Sequence, residues 1–132
     1  MTRILIAEDD PVMRYSLAKG LRLEGHDVME ATSADEAMAV LTSLAVVDLV
    51  ITDVQMPGSM DGLELARRIR TDRPSIPVIV VSAWAGPVNV QELVISAFFR
   101  KPYDFEQLSA YIATLALDQN PAVTTRRQVG DE

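Results

Sequence analysis

Leu49-Val50-Ile51-Thr52-Asp53-Val54-Gln55-Met56-Pro57-Gly58 is an apolar run that stops on a carboxylate and passes into a turn. Two other apolar stretches also end on charged residues. Ile4-Leu5-Ile6-Ala7 runs into Glu8-Asp9, and Ala97-Phe98-Phe99 is closed by Lys101-Pro102. The centres of residues 48–53 and 77–82, Leu49–Ile51 and Val78–Val81, are wholly apolar, as expected of central parallel strands covered on both faces. If the three runs are neighbouring parallel strands, three carboxylates and one ammonium converge on one edge of the sheet. Like charges that close repel strongly unless a cation sits among them. The layout is that of a divalent-metal site with one carboxylate left for chemistry.

Working outward, short β-branched runs alternate with amphipathic stretches. The strands are expected at 3–8, 27–31, 48–53, 77–82 and 97–100. Helices between them carry start signals: Asp10 followed by Pro11, and capping-box spacing in Ser33 with Glu36, Asp61 with Glu64 and Asp104 with Gln107. Met13, Leu17, Gly20 and Leu21 form one face of the first helix; Ala34, Ala37, Met38 and Leu41 of the second; Phe105, Leu108, Ile112 and Leu115 of the last. Gly25 is placed to stop the first helix. Strict alternation implies an α/β fold, a three-layer doubly wound parallel sheet of five βα units. The weak unit is the fourth. Gly86-Pro87 interrupts it, and Val88, Val90, Val94 and Ile95 are β-branched, so helix 4 is expected to be short or irregular and mobile.

The chain has 132 residues and a net charge of −7, with 48% hydrophobic residues and no cysteine. That suffices for one domain with a real core. It excludes disulfides and thiol chemistry. The acidic balance lacks the phosphate-neutralising footprint of a nucleic-acid binder. No stretch reaches the length of a membrane span, and the first apolar run is too short for a signal peptide. A soluble cytoplasmic protein is expected, with no membrane or nucleic-acid partner. The domain is expected over 1–117, with 118–132 a flexible tail and no second domain after it.

The four strand-end motifs together resemble a response regulator receiver domain of two-component signalling: an acidic pair after strand 1, Asp-x-x-Met-Pro-Gly after strand 3, a hydroxyl residue ending strand 4, and Lys-Pro after strand 5. The resemblance covers about residues 3–117 and implies the flavodoxin-like strand order 2-1-3-4-5, with the site where the order reverses. It implies that Asp53 is the phosphoacceptor, and that Asp9, Glu8, Asp53 and the Gln55 backbone carbonyl hold Mg²⁺. Lys101 would pair with a phosphoryl oxygen, and its peptide to Pro102 is cis in many members. Ser82 would donate to the phosphoryl group, beside the small Ala83. Phe98 matches the aromatic switch position, and Gln55 and Trp84 the positions that tune phosphoryl lifetime. Asp10 reads as the helix cap and Arg100 as solvent-facing.

Three departures stand out. Ser59 is an extra residue between Asp53 and the third helix, the Ser82–Lys101 interval is short, and Ser96 replaces a usual glycine. The resemblance implies a stand-alone phosphoacceptor rather than an enzyme, monomeric or weakly dimeric. It would take phosphoryl from a histidine kinase or histidine phosphotransferase and contact an unknown downstream protein through the helix 4–strand 5–helix 5 face. The alternative is an interaction module that works without phosphorylation. A phosphohydrolase would need a second Asp two positions after the nucleophile, where Gln55 stands.

Overall fold

The computed structural model describes residues 2–84, 87, 89–93 and 95–119. The tail expected over 118–132 therefore lies outside the described residues from 120 onward. Five strands, β1 (Arg3–Ala7), β2 (Asp27–Ala31), β3 (Leu49–Thr52), β4 (Val78–Ser82) and β5 (Ala97–Arg100), form one sheet in the order β2-β1-β3-β4-β5. Every pairing is parallel. Strand positions follow the sequence reading, with β1, β3 and β4 each a residue or two shorter than expected.

Alternate residues of the strands feed two cores. On one face Leu5, Ala7, Val50, Val78 and Val80 pack with Ala34, Ala37, Leu41, Leu65, Ala66 and Ile69. On the other, Ile4, Ile6, Leu49, Ile51, Ile79 and Val81 pack with Leu17, Ala18, Leu21, Leu108 and Ile112. The helices are α1 (Pro11–Leu23), α2 (Ala34–Thr42), α3 (Gly62–Asp72), α4 (Val90–Leu93) and α5 (Phe105–Gln119). Hence α1 and α5 cover one face and α2 and α3 the other. Each buried aliphatic side chain contributes about 1.5–3 kcal/mol, and both faces of the central strands are dry. That is why β3 and β4 read as unbroken apolar runs.

The helix starts are those the caps announced. Asp10 accepts from the N–H groups of Val12 and Met13 at 2.9 and 3.1 Å. The side chains of Ser33 and Asp61 accept from Glu36 N and Glu64 N, and Asp104 accepts from Glu106 N and Gln107 N. Each cap contributes about 1 kcal/mol. Gly25 follows α1 with φ +94°, the left-handed conformation that a helix stop requires.

Three details differ from the sequence reading. Met13 is not core: α1 begins beyond the carboxyl ends of the strands, so this side chain reaches the Lys101 ammonium (Sδ–Nζ 3.7 Å) and Ala18 completes the buried face. Gly20 faces α5, where an added Cβ would lie 2.8 Å from the Phe105 ring. Finally, α5 runs through Asp118 and Gln119, two residues past the expected boundary. The fourth helix is a single turn, as its composition foretold.

Candidate functional site

Hydrogen bonds continue the sheet one residue past three strands. Glu8 N–H donates to Ala31 O at 3.0 Å, Asp53 N–H to Ala7 O at 3.1 Å, and Lys101 N–H to Ser82 O at 2.8 Å. The backbone thus fixes where these three side chains start. The Lys101 ammonium lies 2.8 Å from Glu8 Oε1 and 2.7 Å from Asp53 Oδ2. The other carboxylate oxygens are also satisfied: Glu8 Oε2 accepts from Asp10 N at 3.1 Å, and Asp53 Oδ1 from Val54 N at 2.6 Å. The side chains of Lys101, Glu8 and Asp53 are only 13%, 5% and 12% exposed. Arg14 donates to the Glu8 carbonyl at 3.0 Å, a tie that the sequence reading did not single out. The Lys101–Pro102 peptide is cis.

Asp9 is exposed at the rim, and oxygens of Glu8, Asp9 and Asp53 lie within 4.8 Å of one another. Three carboxylates against one ammonium leave net negative charge in a nearly closed site. Burial pushes Glu8 above the ordinary carboxylate value, a shift only partly countered by Lys101. Burial acts to lower Lys101, yet its hydrogen bonds and attraction to Asp53 and Glu8 prevail and hold it above the usual lysine value. A hard cation with oxygen ligands fits this donor set. Mg²⁺ needs few protein ligands because it keeps several waters. Asp9, Asp53 and Glu8 are the residues that would hold it.

Gly62, at the start of α3, lies against the backbone of Asp53. A Cβ there would sit 1.8 Å from the Asp53 carbonyl oxygen. Its N–H donates to Val54 O at 2.8 Å, closing the base of the 54–61 loop. The sequence signal was Asp61-Gly62, read only as a cap. Gln55 lies in this loop, exposed.

The switch candidates lie at the end of β4 and on β5, with Ser82 on the strand between those that lead to Asp53 and Lys101. Ser82 is buried at the end of β4, and its Oγ accepts from Trp84 N at 3.3 Å. Trp84 is 56% exposed, and its indole N–H donates to Pro87 O. Phe98 is partly buried against the α2–α3 core. Arg100 is exposed, as expected, but not idle. Its Nε donates to Trp84 O at 2.8 Å, and its guanidinium lies 5.9 Å from the Phe98 ring centroid. Ser82, Trp84, Arg100 and Phe98 therefore form one connected group.

A family model described as "Response regulator receiver domain" matches residues 4–113. The response regulator protein FleR of Pseudomonas aeruginosa is 36% identical over 90% of this chain and 25% of its own length. The sensor kinase CckA of Brucella abortus is 33% identical over 89% of the chain and 13% of its own. The chain thus spans a quarter or less of these two curated relatives. Among solved structures, the response regulator TrrA of Thermotoga maritima, in complex with Mg²⁺-BeF, superposes with a TM-score of 0.79 at 30% identity, covering 87% of this chain and 99% of that one. Among the described residues, no helix is long and apolar enough to cross a membrane.

Proposed function

This chain belongs to the response regulator receiver domain family, and we propose that it works as a Mg²⁺-dependent phosphoacceptor switch with Asp53 as the acceptor. The observation that carries the reading is the Lys101 ammonium, held within 2.8 Å of both Asp53 and Glu8 at the carboxyl edge of the sheet. In the proposed reaction an Asp53 carboxylate oxygen attacks phosphorus on a phosphohistidine. The new P–O bond forms as the P–N bond breaks, and the bonding pair leaves with the imidazole nitrogen. Lys101 stays charged and pairs with a phosphoryl oxygen. The Ser82 hydroxyl turns from Trp84 N to donate to another. When bound by Asp9, Asp53, Glu8 and the Gln55 carbonyl, Mg²⁺ supplies neutralisation of charge on the transferring group.

Donors on this reading are a histidine kinase or a histidine phosphotransferase, met in the cytoplasm. The chain takes part in its own phosphoryl transfer and hydrolysis but turns over no other substrate. Trading the Ser82–Trp84 bond for a Ser82–phosphoryl bond shifts the population of the β4–α4 loop, Phe98 and the α4–β5–α5 face. That face then contacts a downstream protein. Trp84 and Gln55, both exposed, are proposed to set how readily water reaches the acyl phosphate.

The reading is tested with beryllofluoride, which stands in for the phosphoryl group. Trp84 is the sole tryptophan, so its fluorescence reports the site. A Mg²⁺-dependent change with beryllofluoride, absent in Asp53→Asn, is expected. An equal change in that variant would contradict the assignment, and none in either would favour a module that works without phosphorylation.

A further inference from the structure

The loop carrying the extra residue is tied at its tip. Ser59 N–H donates to Asp35 Oδ2 at 3.0 Å, and Ser59 Oγ–H donates to Asp35 Oδ1 at 2.7 Å. Both carboxylate oxygens of one α2 residue thus grip one loop residue. Gly58, next to it, has φ +112°, and an added Cβ would fall 2.5 Å from Asp35 Oδ2. The backbone must therefore pass close to the carboxylate, and glycine lets it do so. Ser59 lowers the Asp35 pKa by hydrogen bonding, so the grip is strongest in the ionised form.

The loop has three fixed points. Its base is held by Gly62 N–H on Val54 O. Met60 is buried, and Met56 packs on the same core. The Asp35–Ser59 pair holds the tip. Gln55 lies between base and tip, and its carbonyl completes the Mg²⁺ ligands on the function proposed above. Moving one backbone ligand by a few tenths of an ångström matters to Mg²⁺, which demands near-ideal octahedral geometry.

We propose that Asp35 is a positioning residue for the cation site: by chelating Ser59 it holds the 54–61 loop, and with it Gln55, whose carbonyl would complete the Mg²⁺ ligands. The inference rests on the Mg²⁺ reading of that site. It gives the inserted Ser59 a partner and a purpose, and it assigns a role at the site to a residue of α2, which carries none of the strand-end motifs.

The test is Mg²⁺ affinity by calorimetry on the purified chain, independent of phosphorylation. Variants are Asp35→Ala, Ser59→Ala, the double variant, Asp35→Asn, and Asp9→Asn as the ligand control. Two hydrogen bonds to an exposed loop correspond to a weakening of about three- to tenfold in Asp35→Ala. Ser59→Ala should weaken binding less, because its backbone N–H remains. The double variant should be no weaker than Asp35→Ala, and Asp35→Asn should recover part of the loss. A general packing defect would not give that non-additive pattern with partial rescue. Wild-type affinity in Asp35→Ala, with binding lost in Asp9→Asn, would overturn the positioning role alone. Failure of the wild type to bind Mg²⁺, or full binding in Asp9→Asn, would overturn the site reading and this inference with it.

Discussion

Lys101→Met is the most informative single change outside Asp53. Methionine keeps most of the stem and removes the charge. It leaves Glu8 and Asp53 facing each other with no cation between them, the ammonium having been 2.8 and 2.7 Å away. Removing one partner from a buried ion pair costs about 3–5 kcal/mol. Two features reduce that here. The side chains keep 5–13% exposure, and Glu8, already raised by burial, takes up a proton more easily than an ordinary carboxylate. A loss of about 2–3 kcal/mol is therefore expected in metal-free buffer near neutral pH, a fall in Tm of about 8–12 °C for a domain this size. Urea and thermal melts with a chelator measure it. Millimolar Mg²⁺ should then restore more stability to the variant than it adds to the wild type, because the cation meets no competing ammonium. A variant as stable as the wild type without metal would refute the claim that Lys101 holds the carboxylates together.

Three further outcomes are expected. Burial raises Glu8, so its contribution to stability is present below about pH 4.5, its unfolded value, and is lost as the pH rises through the raised folded value. The stability of Glu8→Gln minus wild type should thus be larger at pH 7 than at pH 4.5 in chelator, and a pH-independent difference would count against the shift. In Gly62→Ala the added methyl meets the Asp53 carbonyl, which should cost about 3 kcal/mol and disable phosphoryl uptake; wild-type denaturant melts would show that α3 can yield. Trp84→Ala should shorten the lifetime of the phosphorylated form in a chase experiment, and an unchanged lifetime would remove the indole as a shield.

The fold was legible because the strongest signals in this chain are local and redundant. Short apolar runs at 49–51 and 78–81, rich in β-branched residues, fit strands buried on both faces, and Asp10, Ser33, Asp61 and Asp104 each announce a helix with a side chain that the structure shows in place. The site followed from the fold. Once Glu8, Asp53 and Lys101 end parallel strands, the ladder bonds carry them together. What could not be read depends on three-dimensional direction rather than type. Met13 has the spacing of a core residue but projects beyond the sheet edge. Gly62 matters through the backbone of a residue nine positions earlier. Asp35 and Ser59 are ordinary polar residues 24 apart, and the fold of the 54–61 loop against α2 brings them into contact. Arg100 was read by its exposure alone, whereas its stem lets the guanidinium turn back to Trp84 and Phe98.

The account stands or falls on where the phosphoryl group goes. Wild type and Asp53→Asn are incubated with acetyl phosphate and Mg²⁺, their intact masses read, and the modified peptide mapped. The account predicts one Mg²⁺-dependent phosphoryl adduct on the wild type, located at Asp53 and absent from the variant. An adduct of equal yield on Asp53→Asn, or one mapped to another residue of the wild type, would contradict it.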